Sequence, residues 1–244
     1  MSLAHDPGPA HDPSPVLTRR TRWVMGSAVA LALLFAGAAT VASARDDGVP
    51  ASVPRTPSAR SADAGFARDM AVHHQQAVEM SFLVRDVTRD EDVRRLAYDI
   101  AQTQSNQRGM LLGWLDLWEL PKTAPDGQEP MAWMEEAGDS HSGHDMHGMA
   151  GMDGMDRDGA LMPGMATRTE LGQLRAARGK QAEILFLQLM TDHHKGGVAM
   201  ARGCAERCTV PVEKRLARGM VEAQQSELDL MADMLAARGA APRS

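Results

Sequence analysis

Aromatic residues are scarce in this chain: four Trp, four Phe and one Tyr among 244 residues. A base-stacking platform for single-stranded nucleic acid is therefore not expected. Positive charge is also short, with 26 Lys and Arg against 32 Asp and Glu and a formal net charge of −6. That balance argues against nucleic acid as a partner. Cysteine occurs only at Cys204 and Cys208, too few for a disulfide scaffold. The sequence has no phosphate-binding Gly loop, no nucleophile elbow and no Cys-x-x-Cys-His haem attachment. It has no Glu-x-x-His either, which disfavours a ferritin-type di-iron oxidase.

Methionine is what the chain has in excess. There are 18, and 8 of them fall within residues 131–165. At this length the chain can hold one sizeable domain with accessory segments. Residues 1–18, rich in Pro, His and Asp, read as a disordered cytoplasmic tail. Trp23 to Ala44 carries no charge and is long enough to cross a bilayer as a helix. Arg19, Arg20 and Arg22 precede it, which predicts a cytoplasmic N-terminus and an exported remainder. Residues 19–44 are read as an uncleaved transmembrane anchor. A signal peptide cut after Ala42-Ser43-Ala44, leaving a secreted protein, is the alternative. Residues 45–61 form a polar, Pro-containing linker.

From Asp63 the pattern becomes helical. Phe66, Met70, His73, Ala77, Met80 and Val84 follow alternating steps of four and three, one continuous helix face. Thr88-x-x-Glu91 is a capping-box candidate for a second helix. There Leu96, Ile100, Thr103, Gln107, Met110 and Trp114 keep the stepping until Pro121. Residues 122–166 lose all periodicity and read as a long mobile insertion rich in Gly, Met, His and Asp. Thr167-x-x-Glu170 caps a short helix that Gly179 is expected to end, and a third long helix runs to about Cys204. Pro211 opens a fourth.

The two halves repeat. Adding 120 to the first helix face gives Phe186, Met190, His193, Gly197, Met200 and Cys204, with no gap. The second helices match as well, Gln104 with Gln224 and Gln107 with Glu227. A duplicated helical hairpin predicts an all-α, antiparallel four-helix bundle of ferritin-like type over residues 62–240, interrupted by the insertion.

MAVHHQQAVEM and MTDHHKGGVAM are the chemical core of this repeat. In one helix, buried methionines are ordinary flexible filler and a histidine is a hydrogen-bonding core residue. Two symmetry-related copies would instead bring Met70, His73, His74, Met80, Met190, His193, His194 and Met200 toward one region. Adjacent histidines lie about 100° apart on a helix, so His73 and His193 are expected to face inward and His74 and His194 to sit at the edge. Gln107 and Glu227, on the inner stripe, are candidates to hydrogen-bond the rings, with ordinary interhelical hydrogen bonding as the alternative. Thioether and imidazole together favour soft Cu(I) or Ag(I), because zinc would leave the methionines unused. The insertion repeats the signal with His141, His144, Met146, His147, Met149, Met152 and Met155, and ends in Met162 and Met165. Cys204 and Cys208 admit a disulfide at the helix turn, a thiolate contribution to metal binding, or two unremarkable thiols.

These motifs resemble those of the domain-of-unknown-function 305 family: FARDMAVHHQQAVEM (66–80), LAYDIAQTQSNQ (96–107), MPGMATRTELGQL (162–174), FLQLMTDHHKGGVAM (186–200) and LARGMVEAQQSEL (216–228). The resemblance implies a small ferritin-like bundle exported by bacteria, with copper or silver binding in some members. The expectation is an exported, membrane-tethered, non-catalytic protein that sequesters or transfers Cu(I), or Ag(I), and works with copper-handling partner proteins. A copper-dependent oxidoreductase and a non-catalytic envelope interaction module are the competing readings.

Overall fold

The structure, a computed structural model, describes residues 56–135 and 158–243. Among them are five α-helices and one 3-10 turn, and no strand: α1 (Ala62–Val87), α2 (Glu91–Leu117), a 3-10 turn at Ala132–Met134, α3 (Arg168–Ala176), α4 (Gly179–Arg207) and α5 (Pro211–Ala237). The predicted tail and anchor lie outside the described residues, and so do residues 45–55 of the linker. No helix among the described residues is long and apolar enough to cross a membrane.

Local chemistry explains the helix ends. The Ser61 hydroxyl accepts from Ala64 N to open α1, and Thr167 and Glu170 form the expected reciprocal capping box on α3. The Thr88 expectation needs correcting. Asp90 is the N-cap of α2, accepting from Asp92 N and Val93 N, while the Thr88 hydroxyl donates to Glu183 Oε1 at 2.6 Å. Gly179 does not end the short helix either. It is the first residue of α4, at φ +52°, a conformation that glycine adopts without strain.

α1 with α2, and α4 with α5, form two antiparallel hairpins that meet along α1 and α4. Residue pair 63 and 183 locks them together. α5 has no side-chain cap of its own. Asp63, from the other hairpin, accepts from Thr209 N, Thr209 Oγ1 and Val210 N at 2.7–3.1 Å. Its repeat equivalent Glu183 takes the Thr88 hydroxyl of the opposite turn and Arg238 Nε. Each hairpin thus caps the turn of the other.

The core divides into two apolar clusters. One contains Met80, Met190, Met231 and Met234 with Phe186 and Ile100; the other contains Met70, Met200, Met162 and Met220 with Phe66 and Leu111. On α2 the buried face is Val93, Leu96, Ala97, Ile100, Gln104, Leu111 and Leu115. Thr103 and Met110, expected on it, are exposed. A repeat of four and three fixes a face only to within about one residue's rotation.

Both ends of the segment read as a mobile insertion are packed. Asp69 accepts from Met131 N and Trp133 Nε1, each at 2.8 Å, and Trp133 lies against Gly65, where a Cβ would come within 2.5 Å of the indole. On the other arm, Gln76 donates to Ala166 O and accepts from Ala166 N at 2.8 and 2.7 Å. Close approach of Pro163 and Gly164 to α4 requires glycines: a Cβ on Gly196 would sit 2.1 Å from Pro163 O.

Candidate metal centre

His73, His74, His193 and His194 form a polar layer between the two methionine clusters. All four are buried, including the two expected at the edge. The His73 and His193 rings face each other with centroids 3.7 Å apart and planes inclined by 33°. His74 and His194 turn sideways toward the outer helices. His74 Nε2 pairs with Gln107 Oε1 at 2.9 Å and His194 Nε2 with Glu227 Oε2 at 2.6 Å, the candidate partners read from the sequence. His193 Nε2 donates to the His73 carbonyl at 3.0 Å, which fixes its proton on Nε2 and leaves Nδ1 as a lone pair.

The layer is under-satisfied. Nδ1 of His74, His193 and His194 lacks a partner, and His73 has only the Pro163 carbonyl near its ring, outside good hydrogen-bond geometry. Gln104 and its repeat equivalent Gln224, both buried, leave both amide atoms and Oε1 unpaired, respectively. Native cores rarely strand so many polar atoms, each of which costs desolvation energy of about 1–3 kcal/mol. Burial holds three of the rings neutral: His73 and His74 are lowered to about 3, and His193 falls well below its ordinary range. For His73 and His193 the neighbouring imidazoles add to the effect. Neutral rings with free lone pairs are what a metal ion requires of histidine.

The methionines do not all converge as expected. Met70, Met80, Met190 and Met200 are fully buried, yet Met70 and Met200 share one cluster while Met80 and Met190 share the other. Met70 and Met80 are ten residues apart, about 15 Å along a helix. One ion cannot be held by all eight side chains. The arrangement is a histidine layer with a thioether layer on each side. Met162 and Met165 join the Met70 side from the packed arm, a placement that periodicity could not supply. His141, His144, Met146, His147, Met149, Met152 and Met155 lie outside the described residues. The chain between the two packed arms carries them.

Among the described residues, the sole group of three His, Cys, Asp or Glu donors with converging atoms is Cys204, Cys208 and Glu213. The two cysteines form a disulfide, one of the alternatives left open by the sequence. Cys208 caps α4 with extended backbone, so the pair spans the helix end rather than a regular turn.

The fold and site define a class: paired helical hairpins enclosing a buried imidazole layer flanked by thioethers. The chain belongs to the DUF305 family, domain of unknown function, whose model matches residues 63–235. It is 61% identical to a DUF305 candidate secreted protein from Streptomyces coelicolor, covering 77% of this chain and 99% of that one with a TM-score of 0.64. A DUF305 fragment from Deinococcus radiodurans is 27% identical, covering 71% and 94% with a TM-score of 0.54. CopM in its Cu(I)-bound form is 18% identical, covering 70% and 94% with a TM-score of 0.50, a likeness of fold. No curated protein matches the chain.

Proposed function

We propose that this protein is an exported, membrane-tethered carrier that sequesters or hands on Cu(I), with Ag(I) held by the same chemistry, through a ferritin-like four-helix bundle. The observation that carries the proposal is the layer of four buried imidazoles with unpaired ring nitrogens, three of them (His73, His74 and His193) held neutral by burial, lying between two methionine clusters. The donor set fits a soft ion. Among the described residues no three imidazole or carboxylate donors converge in the layer, so it offers no ready tetrahedral cage for zinc. Cu(I) accepts two or three ligands and readily takes thioether. CopM, of like fold, holds Cu(I).

In this reading the ion is cargo. His73 and His193 supply nitrogen donors at the centre of the layer. Gln107 and Glu227 hold Nε2 of His74 and His194, which leaves Nδ1 of each ring unpaired. Met70, Met200 and Met162 on one side, and Met80 and Met190 on the other, supply thioethers. His141, His144, His147 and the methionines from Met146 to Met155 capture ions at lower affinity. No reaction is catalysed, and copper-handling proteins of the cell envelope are the expected partners.

X-ray absorption on protein loaded anaerobically with Cu(I) tests the assignment. Mixed nitrogen and sulfur scattering shells are expected. A shell of nitrogen and oxygen alone would reject it.

A further inference from the structure

The copper reading leaves one buried group unused at the far end of α4. Glu213, in the first turn of α5, is 0% exposed, and neither carboxyl oxygen meets a donor. Its neighbour is another carboxylate, Asp63, whose oxygens already accept from Thr209 and Val210. Burial, then the charge of Asp63 and a hydrogen bond from the protonated carboxyl to it, push the Glu213 carboxyl up to about 9, so it keeps its proton at neutral pH.

Donor atoms of Cys204, Cys208 and Glu213 all lie within 4.8 Å of one another, and all three residues are buried. A disulfide that merely closes a helix turn needs no such acid. The first hairpin shows this directly. Its equivalent positions are Val84, Thr88 and Val93, and Thr88 N bonds Val84 O just as Cys208 N bonds Cys204 O. The turn is therefore made without any of the three donors, and the second hairpin carries all three together.

We propose that Cys204, Cys208 and Glu213 form a second metal site, available only when the cystine is reduced, for a borderline divalent cation of the Zn(II) class. The donor set decides the class. Two thiolates are soft and one carboxylate is hard, a combination that Zn(II) and Co(II) accept and Cu(I) does not require. Charge agrees: three anionic donors beside Asp63 are better neutralised by a divalent ion than by a monovalent one.

The reductant is a dithiol. Its thiolate attacks one cystine sulfur and releases the other as thiolate, and its second thiol then resolves the mixed disulfide. Two electrons and two protons pass to the protein, and the reductant leaves as a cyclic disulfide. The cation then displaces both thiol protons and the Glu213 proton. The oxidised form has no thiolate to offer and is closed. This site shares no residue with the histidine layer and does not depend on it.

The test uses the full chain and Co(II) alone. The cystine is reduced anaerobically, the reductant is removed, and Co(II) is titrated while thiolate-to-cobalt charge transfer is followed in the near ultraviolet. One equivalent with this band is expected in the reduced chain and none in the oxidised chain. Glu213→Gln should weaken Co(II) binding at least tenfold at unchanged thiol count and helical circular dichroism. Absence of the band, or equal affinity in Glu213→Gln, would overturn the proposal. Should reduction cost the chain its helical signal, Zn(II) added beforehand preserves it if the site forms. No protection by Zn(II) would count against the site.

Discussion

His73 and His193, 120 residues apart, stack face to face with ring centroids 3.7 Å apart at the meeting of the two hairpins. This contact is where the duplicated sequence becomes a single centre. Each hairpin brings one ring to the interface and holds the next with an amide or carboxylate from its own second helix. Stacked neutral imidazoles with unpaired nitrogens are a costly core for a protein whose only need is to fold. The cost is understandable if a cation completes the layer.

Acid should unfold the apoprotein, and the sign follows from the rings. His73 and His74 bind protons near 3 when folded and near 6.5 when unfolded. Between these values the unfolded chain binds more protons, so stability falls as pH falls. The contribution is fully present above 6.5, and the loss totals on the order of a few kcal/mol by pH 4. Urea denaturation from pH 7 to 4 checks this. Replacing His73 and His74 by Gln should flatten the dependence.

Glu213 predicts the opposite slope at higher pH. Its carboxyl titrates near 9 folded against an ordinary 4.5, so the folded chain binds more protons between those values and stability declines as pH rises. The contribution is fully present below 4.5. Glu213→Gln should stabilise the oxidised chain at pH 8 and leave it unchanged at pH 4. Melting temperatures at the two pH values measure the difference.

Asp63 caps a helix of the opposite hairpin, so its removal should be felt far away in sequence. Asp63→Ala strands Thr209 N and Val210 N at the start of α5. A loss of about 1–3 kcal/mol is expected, partly offset by relief of Glu213. Hydrogen exchange should show faster opening of the first turn of α5 than of the first turn of α2, which Asp90 caps.

Gln76 holds the packed arm beside the histidines. Gln76→Ala leaves the Ala166 N–H and carbonyl, both buried, without partners, at a cost of about 2 kcal/mol. Hydrogen exchange at 162–166 should rise selectively, while the helical circular dichroism stays unchanged. Equal protection in the variant and the parent would show that the arm is held by other contacts.

The repeat and the helix faces were readable because an apolar period of three and four, copied at a fixed offset, needs no structure to be seen. Gln107 and Glu227 were readable as candidate ring partners for the same reason, but which histidine each one holds was not. Depth was not. His74 and His194 looked marginal on a helical projection, yet the outer helices bury them. The separation of Met70 from Met80 follows from helix rise, which a face diagram collapses. The anchors at Asp69 and Gln76 had no sequence signal, because they bind backbone groups of a non-periodic segment more than 60 residues away. Thr88 misled because its spacing to Glu91 mimics a capping box, while its hydroxyl serves Glu183.

The central claim is that the histidine layer holds Cu(I). An anaerobic titration against a chromophoric Cu(I) chelator, comparing the parent with a variant in which His73, His74, His193 and His194 are all Gln, tests it most directly. The account predicts that the variant loses the tightest-bound copper and keeps the weaker uptake of the segment spanning His141 to Met155. Superimposable competition curves for the two proteins would contradict it.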